Sequence, residues 1–156
     1  MHSRRVLAVA LVVLVWTMLA QAKDLALISN KSNSADALTL PELVKICKGQ
    51  MNHWPNGKAV TFITRDPAAP EMKILLDKVY GLSKDEVKAV IASANHSRTN
   101  HAAILVVDSD EAVVKKVESM PGAVGLVDVY SISGGVTVLK VGGKLPLEPG
   151  YTLHGN

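Results

Sequence analysis

The residues of this sequence whose types and spacing could do chemistry stand at Thr64-Arg65-Asp66, at the end of an apolar, β-branched run from Ala59 to Thr64. An arginine guanidinium can donate two parallel hydrogen bonds to a carboxylate or a phosphate group. In α/β sheets, ligands bind where a strand ends and a helix follows. The pattern therefore indicates a ligand site at the strand end formed by Arg65 and Asp66. The residues also allow a plainer interpretation, in which the two form a surface pair and Asp66 caps the next helix.

Other reactive residue types do not form a recognisable site. The histidines after the first ten residues lie in three predicted loops, without the i, i+4 helical spacing of a zinc protease. The sequence has no Gly-x-Ser-x-Gly motif for a serine nucleophile and no glycine-rich phosphate-binding loop. We therefore predict no catalytic residue, no metal site and no cofactor, and we expect that the protein is not an enzyme.

A capped helix, a turn and a buried strand are predicted to position Arg65. Thr39 and Glu42 have the spacing of a capping box, and apolar residues follow at helical spacing until Gly49. Trp54-Pro55-Asn56-Gly57 predicts a turn, with the indole covering the end of the sheet. An earlier strand, Asp24–Asn30, would join this helix and strand in a right-handed βαβ unit.

The rest of the chain alternates between segments with helical periodicity and segments with strand composition. Helices are predicted over Pro67–Tyr80, from a Ser83–Glu86 capping box to about Ala94, and after an Asp108 cap; strands are predicted over Ala103–Val107, Ala123–Val127 and Val136–Val141. Ser131–Gly135 is interpreted as a hairpin turn and the tail after Val141 as a loop. The alternation predicts an α/β fold, a three-layer sandwich with a central mixed sheet of about five strands.

Two motifs resemble the phosphate-type periplasmic substrate-binding proteins of bacterial transporters. The first is the order of a leucine-rich helix, a glycine, Trp-Pro-Asn-Gly, an apolar strand and an arginine. The second, Met120 to Leu126, is similar to the Pro-Gly-Ala-Ile-Gly-Tyr strand entry of that family, with Leu126 where an aromatic residue is usual. The resemblance covers Asp24 to Tyr151 and implies one lobe of a type II periplasmic binding protein. The mature length matches only the second lobe.

The resemblance also implies a site. In that family an arginine at this strand end binds phosphate, a nearby aspartate steadies it, and a Ser-Gly-Thr at the next helix start donates hydroxyls and amides. Arg65 and Asp66 match the first two, but Pro67-Ala68-Ala69-Pro70 replaces the third. Since proline lacks an N–H and Asp66 brings negative charge, we expect binding of a small oxyanion such as phosphate to be weak or absent. Further polar candidates for the same cleft follow the first strand: Asn30, Ser32 and Ser34.

The first 22 residues have the pattern of a secretory signal peptide. A basic start, Arg4-Arg5, precedes an apolar run from Val6 to Leu19 and a small-x-small cleavage site, Ala20-Gln21-Ala22. A membrane-spanning anchor is the alternative, but the run is short of the roughly 20 apolar residues that it needs. We expect cleavage before Lys23, one domain over residues 23–156, no remaining membrane anchor, and a periplasmic or secreted location.

Charge and cysteine content limit the partners. Without the leader, 15 basic residues stand against 14 acidic ones, and this balance gives no reason to expect nucleic-acid binding. Cys47 is the only cysteine and falls on the apolar face of its helix, so we predict a core residue and no internal disulfide. The Val136–Val141 strand is expected at a sheet edge, with Lys140 as a guard, which favours a homo-oligomer or an envelope partner.

Two functions follow from these patterns. The first is an exported solute-binding-like domain with a degenerate or weak anion site. The alternative is an envelope partner-binding module that keeps the fold without a small-molecule ligand. A ligand that stabilises the native state would distinguish the first from the second.

Overall fold

Six strands form one mixed sheet in the computed structural model, which describes residues 23–155. The strands are β1 (Leu25–Asn30), β2 (Ala37–Leu38), β3 (Thr61–Arg65), β4 (Ile104–Val107), β5 (Ala123–Asp128) and β6 (Val136–Val141). Their order across the sheet is β2-β6-β1-β5-β3-β4. Strands β3, β4 and β5 are parallel, whereas β1 is antiparallel to both of its neighbours, β5 and β6. The predicted α/β class and mixed sheet are confirmed, with the short β2 as an additional strand.

Helices cover both faces of the sheet. They are α1 (Leu40–Cys47), α2 (Lys73–Leu75), α3 (Lys84–His96) and α4 (Asp110–Ser119); a 3₁₀ turn (Pro70–Met72) leads into α2 and a π turn (Leu76–Tyr80) continues it. Leu27 of β1 packs with α1, α2 and α3 in the larger core, and its neighbour Ile28 packs with α4 in the smaller core on the other face. This alternation of buried side chains produces the predicted three layers.

The predicted capping box at the start of α1 is present. The Thr39 hydroxyl accepts a hydrogen bond from the backbone N–H of Glu42, and the Glu42 carboxylate accepts one from the backbone N–H of Thr39 at 2.7 Å. Two amides that a helix start leaves without partners are thus satisfied.

Removal of this cap is expected to have a modest effect. Thr39→Ala should lower the free energy of unfolding by about 1 kcal/mol, because the Glu42 amide loses its acceptor. Chemical denaturation followed by circular dichroism measures the change, and Thr137→Ala, at another exposed threonine, is the matched control. Equal stabilities of the two variants would contradict a capping role for the Thr39 hydroxyl.

The turn around Trp54 covers the end of the sheet at which β3 and β5 begin. The indole is 2% exposed, and its Nε1 donates a hydrogen bond of 2.8 Å to the backbone carbonyl of Gly122. Gly122 has a φ of +85°, and a side chain there would meet the carbonyl oxygen of Ala59. The Asn33 amide also bonds this corner, accepting from the Gly122 N–H and donating to the Ala123 carbonyl.

Two predicted connections are wrong. The βαβ unit does not form, because β5 lies between β1 and β3 and runs antiparallel to β1 but parallel to β3. The segment Ser131–Gly135 is not a hairpin turn, because β1 separates β5 from β6 and the chain must cross over it. Apolar strands that are buried on both faces carry no signal for direction or order.

Three local predictions also need correction. The helix expected from Pro67 begins only at Pro70, because the residue before each proline is disfavoured in the helical conformation. Ser109 rather than Asp108 caps α4, and its hydroxyl accepts from the Ala112 N–H. Strand β6 is not fully at an edge, because β2 pairs with Lys140 and Val141.

The tail after β6 returns to the first strand. Tyr151 and Leu153 are buried, and the Tyr151 hydroxyl donates to the Leu25 carbonyl at 2.7 Å. The Leu25 N–H donates to the Leu153 carbonyl, and the buried Asp24 carboxylate contacts the His154 ring at 2.5 Å. No helix within residues 23–155 is long and apolar enough to cross a membrane. The predicted signal peptide and its cleavage site lie outside the described residues.

Candidate functional site

A cleft of about 630 Å³ opens at the end of the sheet where β3 and β5 finish and α4 begins. The start of β1 lies at the same end, because β1 is antiparallel to β5. The charged residues that line the cleft are Lys23, Arg65, Glu71, Lys73, Asp110, Glu111 and Asp128. With three basic and four acidic members, the lining is close to neutral rather than basic.

Arg65 ends β3 and projects into this cleft with its side chain 17% exposed. Its Nη1 donates a hydrogen bond of 3.1 Å to Asp110 Oδ1. Its Nη2 lies 3.8 Å from Glu71 Oε2, which is within ion-pair distance but longer than a hydrogen bond. Its Nε is buried and finds no acceptor among residues 23–155.

Asp110, at the start of α4, holds this arrangement together. Ser109 caps the helix, which places Asp110 in its first turn, where a carboxylate is favoured by the helix dipole. One oxygen of Asp110 accepts from Arg65, and the other accepts from the backbone N–H of Asp128 at 3.0 Å. A single carboxylate therefore links the ends of β3 and β5 to the start of α4.

Sequence reasoning missed Asp110 and paired Arg65 with Asp66 instead. In the structure both ion-pair partners of Arg65 among the described residues are other acids, Glu71 and Asp110, so the expected pairing is wrong. Asp66 follows the last residue of β3, and its carboxylate accepts from the Ala68 N–H instead. The available signal was the Ser-Asp-Glu run at the start of α4, beside the residue Asp108 that the sequence predicts as a cap.

Asp66 closes a turn. Its Oδ1 accepts from the N–H of Ala68 at 2.8 Å, and its backbone carbonyl accepts from the N–H of Ala69. It does not cap a helix, because the helical segment begins only at Pro70. Its exposed side chain lines a separate depression beside Val107, so a ligand-binding role for Asp66 stays a prediction.

The structure places Asn30, Ser32 and Ser34 at the opposite end of the sheet from Arg65. The expectation that they share one cleft with Arg65 is wrong, because β1 runs antiparallel to β3 and their carboxyl ends lie apart. Asn30 is 6% exposed, and its Nδ2 donates to the carbonyls of Val117 and Glu118 at the end of α4. Its Oδ1 accepts from the amide and hydroxyl of Ser32. The Asn30 side chain thereby satisfies helix carbonyls that would otherwise lack donors.

Cys47 is fully buried, and burial raises the pKa of its thiol far above its ordinary value. The thiolate that reacts with electrophiles or binds metals is therefore suppressed. This placement agrees with the predicted core role. Within residues 23–155, no group of three or more His, Cys, Asp and Glu side chains is arranged to hold a metal ion.

Solved structures of phosphate-transport proteins share this fold. An ABC-type phosphate transport receptor from Vibrio cholerae superposes with a TM-score of 0.69 at 21% identity, over 86% of this chain and 54% of that one. A putative phosphate ABC transporter substrate-binding protein from Clostridium perfringens, solved with bound phosphate, gives 0.67 at 17% identity, over 85% and 53%. PstS from Borrelia burgdorferi gives 0.65 at 20% identity, over 86% and 55%.

The fold resemblance that the two sequence motifs implied is confirmed by these structures. The described chain has the fold of a lobe of the phosphate-type periplasmic binding proteins. It spans about half the length of the solved structures that it matches. No protein-family model and no curated protein matches the sequence.

Proposed function

We propose that this protein is an exported solute-binding-like domain with a weak anion site, in which Arg65 faces the ligand. The observation that carries the proposal is the position of Arg65 at the end of β3, inside the cleft beside the end of β5. Strand ends of this kind are where α/β sheets bind ligands. The neighbours of known structure that share the fold are named for phosphate transport and substrate binding.

Three features of the cleft argue for weak binding. Arg65 already forms an ion pair with Asp110, so part of the guanidinium charge is neutralised before an anion enters the cleft. The Ala68 and Ala69 amides both donate to Asp66, so neither is free for a ligand. Pro67 and Pro70 have no amide to offer. The cleft therefore lacks the free N–H groups that make a helix start an anion site.

The remaining parts of the proposal concern location and partners. The leader pattern supports export to the periplasm or outside the cell, with one domain over residues 23–156. The ligand class is a small oxyanion such as phosphate, and the proposal includes no cofactor, no catalysis and no nucleic acid.

Phosphate is expected to bind in the millimolar range. A single arginine that already pairs with Asp110 offers an anion only part of its charge, and the further contacts that tight binding requires are not provided by the lining. Isothermal titration calorimetry should show little heat at micromolar protein and phosphate, and Arg65→Ala should remove the residual binding. Arg98→Ala, at an arginine outside the cleft, is the control and should leave it unchanged. A micromolar dissociation constant that Arg65→Ala abolishes would show that the site is not degenerate.

A partner-binding module is the alternative, and one observation favours it. The outer side of Val136–Leu139 in β6 pairs with no strand among the described residues, whereas Lys140 and Val141 are covered by β2. An open strand edge can accept a strand from a second copy or from an envelope protein. A thermal shift that responds to protein concentration but to no oxyanion would support this alternative over the anion site.

A further inference from the structure

The guanidinium of Arg65 donates a hydrogen bond through one of its nitrogens, Nη1, whereas the edge formed by Nε and Nη2 makes none with the described residues. Guanidinium N–H groups donate in pairs along an edge, and the pair formed by Nε and Nη2 binds both oxygens of a carboxylate or phosphate side by side. Asp110 accepts a hydrogen bond from Nη1 and makes none with the Nε–Nη2 edge. Nε is buried without an acceptor among residues 23–155, a costly state for a charged donor.

Glu71 is the carboxylate that stands at this edge. Its Oε2 is 3.8 Å from Nη2, so it is attracted to the edge without hydrogen-bonding to it. The Glu71 side chain is 57% exposed and lies in the 3₁₀ turn between Pro70 and Met72. An exposed glutamate on a turn can change rotamer into solvent at little cost, and it can therefore leave the edge when another anion arrives.

We propose that Glu71 competes with oxyanions for the Nε–Nη2 edge of Arg65. The Glu71 carboxylate lies beside this edge before an anion enters the cleft. This inference rests on the proposed function, because it concerns the same anion site. An entering phosphate or carboxylate gains two hydrogen bonds with Arg65 but must displace the Glu71 carboxylate and its negative charge. Asp110 keeps the guanidinium in place in both states, since its hydrogen bond uses a different nitrogen.

The test compares two charge-removing substitutions on the cleft wall. Glu71→Gln removes the competing charge with little change in shape. Glu111→Gln removes an equal charge from another lining residue, one that makes no ion pair with Arg65. Inorganic phosphate is titrated at constant ionic strength, and binding is followed by NMR through the Nε–H resonance of Arg65. This resonance is assigned by its loss in Arg65→Lys. Glu71→Gln is expected to tighten phosphate binding about threefold to fivefold, and Glu111→Gln less than twofold.

The outcomes separate this inference from the function on which it rests. Tighter binding by Glu71→Gln alone supports both. Equal affinities of the two variants, with binding still lost in Arg65→Ala when it is measured by calorimetry, would overturn the competition and leave the anion site standing. No shift of the Arg65 resonance in the wild type or in either variant would overturn the anion site and the competition together.

Discussion

Replacement of Trp54 by alanine is expected to lower the free energy of unfolding by about 3–5 kcal/mol. The indole is almost fully buried at the corner where α1 leads into β3, and its loss leaves a cavity that the rigid turn cannot fill. The substitution also leaves the Gly122 carbonyl without its buried donor, which adds a desolvation cost. The expected result is a large fall in the midpoint of chemical denaturation.

Two choices make this experiment decisive. Trp54→Phe keeps most of the apolar surface but loses the hydrogen bond, so it should cost only about 1–2 kcal/mol. Unfolding is followed by circular dichroism, because Trp54 is the only tryptophan outside the first 22 residues and its fluorescence is lost with it. An unchanged midpoint for the alanine variant would contradict a structural role and favour an exposed, ligand-facing one.

Asp110→Ala is expected to cost about 3 kcal/mol, the second large effect. The side chains of Asp110 and Arg65 are 14% and 17% exposed, so removal of the carboxylate leaves an almost buried guanidinium without its main partner. Breaking a buried pair in this way costs about 3–5 kcal/mol, and the residual exposure places the effect at the lower end. The Asp128 N–H loses its acceptor as well.

The neighbouring residue provides the control for this prediction. Glu111→Ala changes the same helical turn at an exposed position and should alter stability by no more than about 0.5 kcal/mol. Asp110→Asn keeps the shape of the side chain but removes its charge and one of its two acceptor oxygens, so its stability should lie between those of Asp110→Ala and Glu111→Ala. Both are measured by denaturant unfolding. If Asp110→Ala proved as stable as Glu111→Ala, the proposed link between the ends of β3 and β5 would not contribute to the fold.

Several local signals in the sequence predicted the structure correctly, although the cap of α4 is Ser109 rather than the predicted Asp108. The Thr39–Glu42 capping box depends on residues three apart, and the bounds of β6 follow from a valine-rich segment ended by glycine. The capping serine of α3 was identified in the same way, from Ser83 and Glu86. In the two caps, the atoms that bond to one another belong to residues three apart, so the spacing carries the signal.

The strand order and the site depend on contacts between distant residues, which spacing does not encode. Asp110 pairs with Arg65 across 45 residues of chain, and in its own segment Asp110 looks like an ordinary carboxylate at a helix start. Asn30 looks like a loop residue with a free amide until α4 docks and presents its carbonyls. The antiparallel placement of β1 separates Asn30 from Arg65, and no local pattern distinguishes it from the parallel arrangement.

The position of β1 in the centre of the sheet has a consequence for the order of folding. Its neighbours are β5 and β6, and Leu25 pairs with Asp128 across about a hundred residues. The tail residue Leu153 completes the hydrogen bonds of Leu25. During synthesis the first strand therefore has no partner until nearly the whole chain has been made, and such non-local pairing forms slowly. The central pairings of the sheet are therefore among the last that the growing chain can complete.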